Sequence, residues 1–161
     1  MLDRVRQFRE ASLGPCEEDL ALAREHLPPA LLALFEAQGP RDQRHSAGTA
    51  RWLLERGHDD DPELLVAALL HDVGKGQQRT RDRVAHVVAG WFQVGALVAA
   101  EGSAIAMRAA IARSRTHSER GAEAMAAIGA PEGAIELTRL HHRDPGANAM
   151  LALLQRADAA T

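Results

Sequence analysis

Residues 64–76 read Leu-Leu-Val-Ala-Ala-Leu-Leu-His-Asp-Val-Gly-Lys-Gly, an apolar run that ends in a His-Asp pair followed by glycine. The run predicts a buried helix that stops at Gly74. The negative end of a helix dipole favours a cation, and imidazole with carboxylate suits zinc, iron or manganese. His71 and Asp72 are therefore candidate metal ligands. An isolated pair would more often be a buried histidine beside a polar helix end, so the hypothesis depends on further ligands.

Helix-breaking residues divide the rest of the chain into short segments without strand-like alternation, internal repeats or long linkers. Because aromatic residues make up only 3% of the chain, alanine and leucine must fill the core, and both favour helices. The sequence predicts an all-α, single-domain helical bundle. The predicted helices cover residues 2–12, 17–27, 30–37, 41–55, 62–73, 80–94, 104–113, 116–128, 132–142 and 148–159.

Composition excludes several classes of function. The net charge of −3 gives no long-range attraction to nucleic acid or to an anionic membrane. No apolar run approaches the ~20 residues needed to span a bilayer, and Met1–Glu10 lacks the apolar stretch of a signal peptide. Cys16 is the only cysteine, which excludes an internal disulfide and a thiolate zinc site. We therefore expect a cytoplasmic protein without nucleic-acid or membrane partners.

Two further candidate ligands lie on other predicted helices. Asp158 shares a helix face with Leu151 and Leu154, and a carboxylate on a packed face needs a positive partner. The alternative for Asp158 is a solvated position near a frayed helix end. His45 shares its face with the small residue Gly48, and the alternative there is a core or surface histidine without a metal.

Three more histidines complete the candidate set. His117 shares a face with Gly121, and because glycine inside a helix costs roughly 1 kcal/mol relative to alanine, this glycine indicates close packing beside the histidine. His141 and His142 follow apolar positions, so both are predicted to point inward. Adjacent buried histidines are costly when protonated, which favours a metal-binding role over a purely structural one.

In chain order, these residues resemble the HD superfamily of metal-dependent phosphohydrolases, whose pattern is a histidine, a His-Asp doublet and a distant aspartate on a helical bundle. The segment His71–Lys75 matches the family's His-Asp-hydrophobic-Gly-Lys form. The resemblance begins at about residue 41 and ends at Asp158. It implies an HD-type metal-binding domain over residues 41–161, with residues 1–40 as an N-terminal helical addition.

The extra histidines resemble the two-metal subset of this family, which includes the HD-GYP phosphodiesterases. In that subset the doublet aspartate bridges two ions, so the analogy makes Asp72 the bridge. The expected ligands are His45, His71 and Asp158 for one ion, and His117, His141 and His142 for the other.

The chain departs from the pattern of the two-metal subset at two places. Residues 143–146 replace the segment that ends in Gly-Tyr-Pro, and the chain has no tyrosine, which argues against hydrolysis of cyclic di-GMP. Arg41 stands where some members carry a glutamate that supports a third metal.

The activity implied by the resemblance is hydrolysis of a phosphomonoester or phosphodiester by metal-activated water, with one or two divalent ions of iron, manganese or zinc. The expected substrate is a nucleotide or small phosphorylated metabolite. Asp72 and Lys75 are the predicted catalytic residues, because a lysine can meet a phosphate as a point charge; the alternative for Lys75 is a solvated side chain. Arg113, Arg115 and Arg143 could also meet an anionic substrate, but nothing distinguishes them from surface arginines.

Two other functions fit the same sequence. A few HD proteins hold two irons and use oxygen to cleave small organic substrates, and the same ligand order would serve a di-iron oxygenase. A non-catalytic helical module that binds a nucleotide or a partner is the third hypothesis. The oligomeric state is left open by the sequence.

Overall fold

A computed structural model describes residues 14–75 and 117–161 of the chain, and the regular structure in these ranges is helical throughout. The predicted all-α fold is confirmed, while the predicted helices at 2–12, 80–94 and 104–113 lie outside the described residues. No described helix is long and apolar enough to cross a membrane. The helices are α1 (Glu17–His26), α2 (Pro29–Glu36), α3 (Pro40–Leu54), α4 (Pro62–Leu70), α5 (residues 117–127), α6 (Glu132–Leu140) and α7 (Ala149–Ala159), and a 3-10 turn, Val73–Lys75, follows α4.

Prolines and polar caps set the helix starts. Pro29, Pro40 and Pro62 each occupy the first helical position, where the missing N–H is no loss. The Asp61 side chain accepts a hydrogen bond from the Leu64 amide at 3.0 Å, which caps α4. Asn148 caps α7 in the same way.

Helix α4 forms the centre of the bundle. Every residue from Leu64 to Leu70 is buried, as expected of a helix that is apolar on all sides. It packs against α3 and α6, and also contacts α1, α2 and α7. The end of α4 therefore delivers His71 and Asp72 into the interior, between the helices that carry the other candidate ligands.

The two helices before residue 40 belong to the same hydrophobic core. Ala23 and Leu27 of the α1 segment, and Leu31 and Phe35 of α2, are buried with the α4 side chains. Helix α1 packs against α3, and both α1 and α2 contact α4. The boundary predicted at residue 40 stays a prediction, but the described part of that addition is packed directly on the central helix.

An ion pair between the buried Asp19 and the partly exposed Arg51 joins α1 to α3. Asp19 is 1% exposed, accepts a hydrogen bond from the Cys16 amide at 2.9 Å and pairs with the Arg51 guanidinium. Burial opposes ionisation of Asp19, but the Cys16 N–H and Arg51 outweigh it, so the pKa of this carboxyl lies below its usual range.

Asp19→Asn is expected to lower the free energy of unfolding by about 1–2 kcal/mol at pH 7, since it removes the charge but keeps an acceptor for the helix start. The folded-state pKa of Asp19 is below its unfolded value of about 3.9. The stabilisation is therefore fully present above that value and is lost as the pH falls through the folded-state pKa. Denaturant unfolding of both proteins across pH 2–7 measures the difference, and a gap that does not shrink in acid would contradict this account.

Candidate metal centre

Five helices bring the seven predicted ligand side chains to one place. Helix α3 carries His45, the end of α4 carries His71 and Asp72, and α5 begins the described segment with His117. The turn after α6 carries His141 and His142, and α7 carries Asp158. Residues separated by more than 100 positions thus become neighbours, because α3, α6 and α7 pack against α4 and the α5 backbone at Gly121 lies close to Gly74 just beyond it.

The first donor group consists of His45, His71 and Asp158. One carboxylate oxygen, Asp158 Oδ1, lies 2.8 Å from His45 Nε2 and 3.4 Å from His71 Nε2. Asp158 lies on the same side of α7 as Leu151 and Leu154, which are both buried in the core. The Asp158 carboxylate therefore faces two imidazoles, those of His45 and His71.

The second donor group consists of His117, His141 and His142. His117 Nε2 lies 3.3 Å from His141 Nε2 and 3.1 Å from His142 Nε2. His117 and His141 are buried, whereas His142 is exposed and reaches the others from the solvent side. Both adjacent imidazoles face His117, as expected, but only His141 is buried. The reason is that α6 ends at Leu140, so the pair lies in a turn and not on a helix face.

Asp72 lies between the two donor groups. Its Oδ1 atom is 3.5 Å from His117 Nε2 and 3.9 Å from His141 Nε2. Its Oδ2 atom is 3.7 Å from His71 Nε2 and pairs with the Lys75 ammonium. Asp72 is only 3% exposed. The two oxygens of one buried carboxylate therefore face different histidine groups.

Backbone carbonyls fix the orientation of two central imidazoles. His71 Nδ1 donates to the Ala68 carbonyl at 2.9 Å, and His141 Nδ1 donates to the Thr138 carbonyl at 2.6 Å. Because a carbonyl can only accept, each bond places the proton on Nδ1 and leaves Nε2 of the neutral ring with a free lone pair. Both rings therefore present Nε2 to the centre, as metal-binding histidines commonly do.

The charges around the centre keep both of its carboxyl groups ionised, which is the form that binds a metal ion. Burial opposes the charge of both Asp72 and Asp158, but neighbouring histidines hold the pKa of each carboxyl well below its usual range. Burial and the charge of His71 lower the pKa of His141 to about 3, so His141 is neutral at pH 7. Burial opposes protonation of His71, but the charges of Asp72 and Asp158 outweigh burial, so the pKa of His71 lies above its usual value. The two carboxylates thus favour the protonated form of His71.

The chemistry of these donors fits a divalent cation. His71 Nε2 is fully buried and has no hydrogen-bond partner among residues 14–75 and 117–161, although two carboxylates lie within 4 Å. Orphaned buried polar atoms of this kind are rare in proteins. In the second group, one N–H on His117 Nε2 could satisfy only one of its two neighbours, whereas a cation can be shared by all three imidazoles.

Sequence reasoning missed Gln155, which does not belong to the second donor group but hydrogen bonds to the backbone of the turn that carries His141 and His142. Its Nε2 atom donates to the His141 carbonyl at 3.0 Å and to the Arg143 carbonyl at 2.6 Å, so it holds the turn that carries both histidines against α7. Its position three residues before Asp158 was the available signal. Lys75, by contrast, pairs with Asp72 at the centre, whereas Arg143 directly follows His142 in the sequence and is exposed. Arg113 and Arg115 lie outside the described residues.

Comparison with known proteins agrees with this arrangement. The family model for the HD domain matches residues 43–160, a segment that contains all seven candidate ligands. No curated protein and no solved structure matches the chain. A match over most of the chain, together with the buried His and Asp cluster, indicates binding of a divalent metal. The chain belongs to the HD domain family, a superfamily of metal-dependent phosphohydrolases.

Proposed function

We propose that this protein is a phosphohydrolase that acts on a small phosphorylated substrate, such as a nucleotide, through a centre for two divalent ions. The observation that carries the proposal is the position of Asp72, whose two oxygens face the two donor groups separately. The first donor group, His45, His71 and Asp158, would hold one ion. The second, His117, His141 and His142, would hold the other, with Asp72 shared.

Divalent ions in such a centre would lower the pKa of a bound water and offset the negative charge of phosphate oxygens. The protein residues set the conditions for this chemistry. The Ala68 and Thr138 carbonyls keep the Nε2 atoms of His71 and His141 directed inward. The buried position of Asp72 keeps water from competing for its carboxylate.

Among residues 14–75 and 117–161, Lys75 is the basic group best placed for the substrate. Its side chain is 30% exposed, yet its ammonium reaches the buried carboxylate of Asp72. It therefore links the interior of the centre to its solvent side, where an anionic substrate would arrive. A lysine ammonium binds phosphate as a flexible point charge, so Lys75 would contact a phosphate oxygen during binding.

The test is hydrolysis by full-length protein that has been stripped with a chelator and reloaded separately with Mn²⁺, Zn²⁺ or Fe²⁺. p-Nitrophenyl phosphate and bis(p-nitrophenyl) phosphate probe monoester and diester cleavage, and a panel of nucleotides follows. We expect hydrolysis that is lost with the metal and restored on reloading. Oxygen consumption by the iron-loaded protein without phosphate release would overturn the proposal in favour of a di-iron oxygenase. Metal binding without either reaction would favour a binding module.

A further inference from the structure

A buried glutamine outside the family-matched segment contacts both helices that carry histidines of the first donor group. Gln38 lies in the turn between α2 and α3 and is 3% exposed. Its Nε2 atom donates to the Leu69 carbonyl at 3.0 Å, close to the end of α4. Its Oε1 atom accepts from the Ser46 hydroxyl of α3 at 3.3 Å. One side-chain amide therefore joins the two helices.

The hydrogen bond from Gln38 to the Leu69 carbonyl satisfies a backbone group at the C-terminal end of α4. The Ala67 carbonyl accepts the His71 amide at 2.7 Å, and the Ala68 carbonyl accepts His71 Nδ1 at 2.9 Å. Because the helix ends at Leu70, the next carbonyl, at Leu69, needs a partner from elsewhere, and Gln38 provides it. The same helix turn thus holds both the His71 imidazole and the Gln38 amide on adjacent carbonyls.

The other contacts of Gln38 fix its own position. Ser46 directly follows His45, whose ring centroid lies 5.5 Å from that of His71. The Gln38 backbone carbonyl accepts from Gln43 Nε2 at 2.9 Å, and the same nitrogen donates to the Glu36 carbonyl at 2.8 Å. The turn is therefore tied to the start of α3, and the Gln38 side chain cannot leave its place without breaking buried bonds.

We propose that Gln38 is a positioning residue for the metal centre, which sets the separation of His45 and His71 by bonding to Ser46, next to His45, and to Leu69, two residues before His71. This inference rests on the proposed function, because it assumes that these two histidines bind a metal. It gives the segment before residue 43 a part in the site, through a polar contact and not only through apolar packing. Loss of the amide would leave the Leu69 carbonyl buried and unpaired, so the end of α4 would shift to find a partner.

The test is the affinity and visible absorption spectrum of Co²⁺ bound to the full-length protein, which reports ligand geometry without requiring activity. Gln38→Met keeps the side-chain length but removes both hydrogen bonds. We expect its Co²⁺ affinity to fall about tenfold, as for other outer partners of metal ligands, with a changed spectrum. Ser46→Ala removes one bond only and is expected to shift the affinity in the same direction by less, which keeps the test valid if Gln38→Met folds poorly.

Asp19→Asn is the matched control, because it breaks a buried polar contact between α1 and α3 away from the ligands. If Gln38→Met and Ser46→Ala bind Co²⁺ no more weakly than Asp19→Asn, compared at similar loss of thermal stability, the role of Gln38 is only structural and the proposal is overturned. Asp72→Ala distinguishes failure of the Gln38 proposal from failure of the proposed function. Wild-type Co²⁺ binding by Asp72→Ala would overturn the proposed function itself, whatever Gln38 does.

Discussion

Asp72→Asn is expected to reduce the proposed metal-dependent hydrolysis by at least about 100-fold. Loss of a residue that supports a metal ligand costs about 10- to 100-fold, and the proposal makes Asp72 a ligand itself. Asparagine has nearly the same shape but carries no charge, so it cannot offset the repulsion between two bound cations. The buried carboxylate faces His71 on one side and His117 and His141 on the other. Both donor groups should therefore lose affinity together.

Metal content and hydrolysis rate of purified Asp72→Asn, beside wild type, measure this effect. Asp144→Asn is a suitable control, since Asp144 is an exposed aspartate in the turn after His142 and contacts only the Gly146 amide among the described residues. We expect Asp144→Asn to keep wild-type metal content and rate. Full metal content in Asp72→Asn would show that the carboxylate is not shared by the two groups.

Gly74→Ala is expected to damage both the fold and the second donor group. A Cβ atom at this position would collide with the His117 carbonyl oxygen and would lie 2.6 Å from the Gly121 amide nitrogen. Both obstacles are backbone atoms, which cannot rotate away as a side chain can. Overpacking of this kind costs about 1–3 kcal/mol, and the relief of the clash would move His117 away from Asp72.

Gly48→Ala is the matched control for this variant. A Cβ there would meet Thr161 Cβ at 3.5 Å, an ordinary contact, and position 48 is within α3. Because alanine favours helix by about 1 kcal/mol over glycine, Gly48→Ala should raise the unfolding temperature while Gly74→Ala lowers it. Thermal unfolding with metal analysis distinguishes the two. An unchanged unfolding temperature and metal content in Gly74→Ala would contradict the close approach described above.

The sequence was informative wherever a local pattern controls the structure. The all-apolar run before His71 predicted a buried helix, and every residue from Leu64 to Leu70 is indeed helical and buried. Gly74 was predicted as a helix end, but its closest constraint is the His117 carbonyl, which lies 43 positions further along the chain. Such a contact has no local signature.

The remaining differences have the same origin. The exposure of His142 depends on α6 ending at Leu140, two residues earlier than the apolar pattern predicted. Gln38 follows a helix and precedes a Gly-Pro turn, where a glutamine is ordinarily solvated, and only the packing of α2 and α3 on α4 buries it against Leu69. The set of residues that gather at the centre was predictable from spacing and family resemblance, whereas the contacts that hold their side chains in place were not.

The most direct test of the two-ion centre is the metal content per chain of wild type and His117→Ala, after loading with excess Mn²⁺ or Zn²⁺ and removal of free metal. The geometry of the two donor groups predicts about two ions in wild type and about one in His117→Ala, which keeps His45, His71 and Asp158 intact. One ion in both proteins would contradict the assignment of His117, His141 and His142 to a second metal site.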